Sequence, residues 1–394
     1  MESRYRYISL DANRNEIENN LHSYLEFLII IGLFYITPST QFIFFQTNNN
    51  VTCYYNFECK YEYGIIPSLN SFVSNIFYIL FGILFLITVK LKKHNTEDTL
   101  LSNKSLYYCL GVCLIYEGIA SSFYHICPSK LNLQFDTTFM FVGIIMSYLC
   151  LYNNRHIGHV CKPLKFYLIL FLVMILNILS LIKNKNSTHW WIWIFTFVIV
   201  LYCLVLTSIY IFIGKNYELD MESLKEAYSL LKDKSQLKSS KFWFIASSNI
   251  ITLTLFLYAS ITNSYFIGWL LFIGICNLGI YFSYYLLFKT QNNEIISNKL
   301  KGLIVADMVL FICALYFYFN TNYNTFIDKE ESDKLNAKCI LFNFFDNHDV
   351  WHCISALALY LFMNIILFID DNNVCKCGAY YQGNSYCTQG HKEE

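Results

Sequence analysis

Charge is scarce in this chain. Of 394 residues only 14% are Asp, Glu, Lys or Arg, against about 25% in ordinary soluble domains. That is too little to cover the surface of a soluble protein of this length. The formal net charge is zero, so no basic excess points to nucleic acid. Proline is also scarce, at four residues, which leaves most apolar runs free of helix-breaking rings. Apolar–polar alternation is sustained nowhere, although a transmembrane β-barrel would need it. The opening MESRYRYISLDANRNEIENN has no early apolar core. The sequence therefore predicts no cleavable leader, with the first apolar run acting as an anchor. There is no internal repeat and no long linker.

What abounds is apolar surface: 56% of the residues are hydrophobic and 19% aromatic. Runs of this length and apolarity satisfy their own backbone in a bilayer only as helices. Spans are expected at 25–45, 66–89, 105–126, 133–152, 164–182, 190–213, 242–261, 265–288, 300–319 and 350–369. The fold class is thus all-α, a polytopic bundle of about ten transmembrane helices. A polar segment, 1–24, precedes the bundle at 25–370, and a Cys-rich tail, 371–394, follows it. With the N-terminus in the cytosol, the segments on that side hold 21 Lys and Arg and the outer segments seven. This positive-inside bias sets the orientation, and ten spans return the C-terminus to the cytosol. Loop 214–241 carries LDMESLKEAYSLLKDKSQLKSSK, which reads as an amphipathic helix on the inner leaflet. Sequons at Asn50 and Asn186 fall outside and make the chain a candidate glycoprotein. They weigh little, because an Asn-rich chain produces such triplets by chance and the one at Asn103 falls inside.

One outer rim collects unusual residues. The third span ends EGIASSFYHICP, the fourth begins LQFDTTFM, and the tenth begins HDVWH. His348 and His352 stand at i and i+4, so both imidazoles leave one helix face about 6 Å apart. Ser121 and His125 repeat that spacing, Glu117 continues the stripe one turn deeper, and Asp136 follows one short loop later. A lone histidine at a helix end is ordinarily a solvated interfacial residue. Three histidines with a carboxylate at one membrane rim are costly to bury unless paired or metal-bound, and the set suits Zn2+. Zinc-bound water ionises near neutral pH and can attack an ester or amide carbonyl. Ser121 alone would ordinarily bond its own backbone. Glu117 lies too far along the helix from His125 to share its ligand shell and reads as a supporting partner. Asp349 lies about 100° round the helix from His348 and stays out of the shell. Asp307 lies nearer the cytosolic end of its span and reads as a solvated or inter-helix polar contact.

These strings are specific enough to resemble a known family. SSFYHICPSKLNLQFDTTFMFVG, the HDVWH helix with Asp370-Asp371 after it, and CYYNFEC at 53–59 look like the systemic-RNAi-defective (SID) transmembrane family. That family sits in the wider CREST group of membrane hydrolases. The likeness covers roughly 50–371 of the chain. It implies metal ligands at His125, His348 and His352, an aspartate in or beside the shell at Asp136, and a serine near the zinc-bound water at Ser121. The mechanism it suggests is hydrolytic: Asp136 takes the proton and Ser121 holds the water or oxyanion. It further implies double-stranded RNA uptake, lipid or sterol handling, a homodimer, and a plasma or endolysosomal membrane. Family members ordinarily carry a large extracellular domain before the bundle and one further span; here about 24 polar residues precede the first span. RNA recognition is associated with that region, and the seven outer basic residues form no run that would replace it. The expectation is a zinc-dependent hydrolase core acting on a ceramide- or phospholipid-like amide or ester. The alternative is transport of double-stranded RNA or sterol around a structural zinc.

Most of the fifteen cysteines lie inside apolar runs and read as small buried hydrophobes. Cys53, Cys59, Cys127 and Cys339 fall in or beside outer segments, where disulfides form. Three pairings exist, and Cys53 and Cys59 are each expected to join one of Cys127 and Cys339, with free thiols as the other outcome. In the tail, Cys375, Cys377, Cys387 and His391 could hold a second zinc, although the first spacing is tighter than usual. Acylation of Cys375 or Cys377, or no ligand at all, are the alternatives.

Overall fold

The computed structural model describes residues 2–48, 52–93, 103–155, 162–181, 190–213, 239–262 and 266–371, with four scattered positions between 225 and 232. Named helices are α1 (Glu2–Asn48), α2 (Leu69–Ser74), α3 (Ile76–Leu91), α4 (Ser105–Tyr124), α5 (Leu133–Arg155) and α6 (Pro163–Leu181). They continue with α7 (Trp190–Ile213), α8 (Ser240–Ile261), α9 (Phe266–Gln291), α10 (Asn298–Phe319), α11 (Lys329–Asp333) and α12 (Asn347–Phe368). Among the described residues, nine stretches are long and apolar enough to cross a membrane, with Leu69–Leu91 forming one of them from α2 and α3. The expected tenth, at 190–213, is helical as α7, and its described apolar part is the shorter Ile192–Tyr202. The chain is a multi-pass integral membrane protein. The four tail residues, the sequons at Asn50 and Asn186, and most of loop 214–241 lie outside the described residues.

At the N-terminus the structure adds to the sequence reading. The polar segment 1–24 is helical and continuous with the first span: α1 runs through it from Glu2. Nothing between residues 2 and 24 breaks a helix, because neither proline nor glycine occurs there. Leu21, Tyr24 and Leu28, spaced by three and four, fall on one face and are buried in the main core.

That core gathers side chains from α1, α3, α4, α5, α6, α8, α9, α10 and α12. The spans of α4 and α5 are the most buried, each 67% inside, whereas that of α10 is only 6% buried. Two glycines bring α4 against the Asn75 break and α3. A Cβ on Gly118 would lie 2.9 Å from the Asn75 carbonyl oxygen, and one on Gly82 3.0 Å from that of Gly111. With no lipid squeezed between them, the backbones meet directly at these small residues.

The last helix is fixed at both ends. Its start is a capping box in which Asp346 accepts from the Asp349 amide and Asp349 accepts from the Asp346 amide. Asn56 donates to Asp346 at 2.9 Å and Asn70 to Asp349 at 2.6 Å, so the loop after α1 and the start of α2 hold the cap. Past its far end, Asp370 accepts from the fully buried Lys289 ammonium at 2.8 Å and from the Tyr285 hydroxyl. Lys289 also pairs with Glu294 at 3.0 Å, and Lys92 pairs with Asp371 at 2.5 Å.

Candidate metal centre

Three histidines from two helix ends converge. His348 and His352 sit in the first two turns of α12, where the i, i+4 spacing turns both rings the same way. His125 caps the C-terminus of α4. Ligand nitrogens of His125, His348 and His352 all lie within 4.8 Å of one another, and the Nε2 atoms of His125 and His352 are 3.1 Å apart. All three rings are buried. Among the described residues, both nitrogens of His348 and the Nδ1 of His352 have no hydrogen-bond partner. Buried polar atoms are ordinarily satisfied, so a tight cluster of imidazoles with nitrogens left over fits a cation that prefers nitrogen ligands.

Two further features suit a metal. The Tyr323 hydroxyl lies 3.4 Å from His125 Nδ1. With that nitrogen donating its proton to the tyrosine oxygen, the Nε2 lone pair is free for a cation. Burial pushes the Tyr323 hydroxyl well above its ordinary pKa, so it stays protonated. Burial likewise holds His125 well below the usual imidazole value, in the neutral form that binds metal.

The other candidate residues fall beside this cluster. Ser121, one turn before His125, donates a hydrogen bond to Asp136 at the start of α5, and both side chains are buried. Asp136 is not among the ligand atoms grouped within 4.8 Å. Glu117 is buried one turn deeper, and its Oε2 has no partner among the described residues. A hollow lined by Tyr54, Asn56, Ser68, Asn70, Tyr323 and Asp346 reaches His125 from the loop side.

Disulfides brace the same end. Cys53 bonds Cys127, two residues past His125, and Cys59 bonds Cys339, ahead of α12. Both bridges follow the expected pattern, in which each cysteine of the first loop joins one near a histidine-bearing helix end. Sequence reasoning missed Tyr323, Asn56, Asn70 and Asp346. Only Asp346, three residues before Asp349 and an apolar run, carried a local signal, that of a helix cap.

The fold and site define a class: a multi-pass helical membrane protein with a disulfide-braced, buried three-histidine cluster at one end of the bundle. A family model described as the dsRNA-gated channel SID-1 matches residues 3–376, and the chain belongs to that family. It is 30% identical to the human SID1 transmembrane family member 1, over 91% of this chain and 46% of the human protein. The mouse protein of the same name is 29% identical over the same shares. The Caenorhabditis elegans cholesterol uptake protein 1 is 27% identical, over 88% of this chain and 48% of its own length. The chain therefore spans about half the length of the curated relatives it matches.

Proposed function

We propose that this chain is a transmembrane uptake protein for an apolar cargo of the sterol class, with the three histidines holding a structural zinc. The observation that carries the choice of cargo is that two lysines of the histidine end, Lys60 and Lys329, are already engaged. Lys60 pairs with Glu62 at 2.7 Å and lies over the Tyr55 ring, and Lys329 pairs with Asp333 at 2.5 Å and lies over the Phe57 ring. Cations committed to carboxylates and rings are poorly placed to replace the counterions of a nucleic-acid backbone. A sterol needs apolar surface and one polar contact, which a bundle this poor in charge supplies. A relative named for cholesterol uptake supports the reading. In this proposal His125, His348 and His352 hold the zinc and the histidine end faces outward, in keeping with the basic residues of the opposite loops.

A second reading rests on the buried Ser121–Asp136 hydrogen bond beside the histidines. A carboxylate holding a hydroxyl next to a metal centre is an arrangement for lipid amide or ester hydrolysis. The zinc would polarise a carbonyl there, Asp136 would take up a proton, and Ser121 would position the attacked group.

One reconstitution separates these readings. Purified protein in liposomes is assayed for zinc content, transfer of a fluorescent sterol, hydrolysis of a fluorescent ceramide, and double-stranded RNA binding. About one zinc per chain with sterol transfer above protein-free liposomes is expected. RNA binding without sterol transfer would replace the cargo, and ceramide turnover lost in Ser121→Ala would make the second reading the correct one.

A further inference from the structure

Asp307 is the one carboxylate on α10, and it stands near the middle of that helix, nine residues after Asn298 and twelve before Phe319. It is not solvated at a helix end. It shares the stripe of Leu300, Leu303, Ile304 and Ala314, spaced by three, four and seven, which is the face turned toward the rest of the bundle. Val305, Met308, Val309 and Ile312 occupy the opposite, exposed side. α10 packs chiefly on α12, and little of it is enclosed by other helices. Asp307 therefore lies partly exposed near mid-span, on the α10 face that packs toward α12. Among the described residues no hydrogen bond or ion pair involves it, so it is no inter-helix contact either.

An aspartate at the centre of a spanning helix opposes insertion by about 3 kcal/mol. Here no partner within the described bundle offsets that, and the acceptor is left for something that arrives from the membrane. The chemistry of the place is specific: one hydrogen-bond acceptor at mid-depth, with apolar surface above and below it and open access from the lipid. It matches a rigid apolar molecule with a single hydroxyl. The barrier for such a molecule to change leaflets comes from taking its hydroxyl through hydrocarbon without a partner. A carboxyl group halfway across gives the hydroxyl a partner where the barrier is highest.

We infer that Asp307 is the mid-membrane hydrogen-bond station for the hydroxyl of a sterol-type lipid passing along the lipid-exposed margin where α10 packs on α12. This rests on the sterol-uptake reading above and adds the residue that recognises the cargo's polar group.

The test uses the full chain in liposomes and two probes, cholesterol and its 3-methyl ether, which keeps the rings but cannot donate. Asp307 should raise the cholesterol-to-ether transfer ratio about tenfold, the worth of one hydrogen bond. Asp307→Leu should lose that preference by slowing cholesterol while leaving the ether unchanged, whereas Asp307→Asn, which still accepts, should keep most of it. Because Asp307→Leu removes an unpartnered carboxyl from an apolar helix, it should unfold at the same or a higher temperature than wild type. Loss of preference then cannot be laid to misfolding. Wild-type sterol transfer with an undiminished preference in Asp307→Leu would overturn the station alone. No sterol transfer by wild type would overturn the uptake reading and the station with it.

Discussion

At the scale of single residues, the histidine cluster is held by geometry that separates its members by role. His352 is buried, faces His125 Nε2 at 3.1 Å, and has an orphaned Nδ1. His352→Ala should lower zinc from about one per chain to near none in elemental analysis of the purified protein. Ser121→Ala should keep the metal, because the Ser121 hydroxyl is bonded to Asp136 and is no ligand. Loss of zinc in Ser121→Ala would place that hydroxyl in the shell. A second residue-level expectation concerns the cap. Asn70→Ala removes the donor to Asp349, which is buried, and should destabilise the protein by about 1–3 kcal/mol. Thermal unfolding in detergent reads this as a lower midpoint, and an unchanged midpoint would mean that Asp349 finds another donor.

At the scale of elements, legibility in the sequence depended on how local the signal is. His348 with His352 and Ser121 with His125 could be read because helical spacing fixes which side chains share a face. The four paired cysteines could be read as a set because the lysine asymmetry groups their loops on one side. Asn56 and Asn70 could not, because their acidic partners lie 290 and 279 residues away and no pattern along the chain links them. Lys289 was hidden for another reason. A lysine at the end of an apolar run reads as one that reaches out to the headgroups, yet its side chain is fully enclosed between Glu294 and Asp370. Lys289→Met leaves both carboxylates without their cation and should destabilise the protein by about 3 kcal/mol. Adding Glu294→Gln and Asp370→Asn should recover much of that loss, and a triple variant as unstable as the single one would show that packing matters more than charge.

At the scale of the whole molecule, the bundle is anchored unevenly. α4, α5 and α12 form the enclosed centre, while α10 stands at the margin and packs chiefly on α12. Moving parts are expected at the margin, where few contacts must break. The disulfide between Cys59 and Cys339 adds a property that no helix supplies. It joins residues 280 apart, so the chain between them is a covalent ring containing most of the bundle. A single protease cut in any loop within that ring opens it without releasing a fragment. Nicked protein should therefore run as one species on a non-reducing gel and as two after reduction. A cut in the stretch between residues 214 and 224 tests this directly, and two bands without reductant would mean that the ring is not closed in the purified protein. In a compartment rich in proteases, such a ring would outlast its own cleavage: cut once, it remains one molecule.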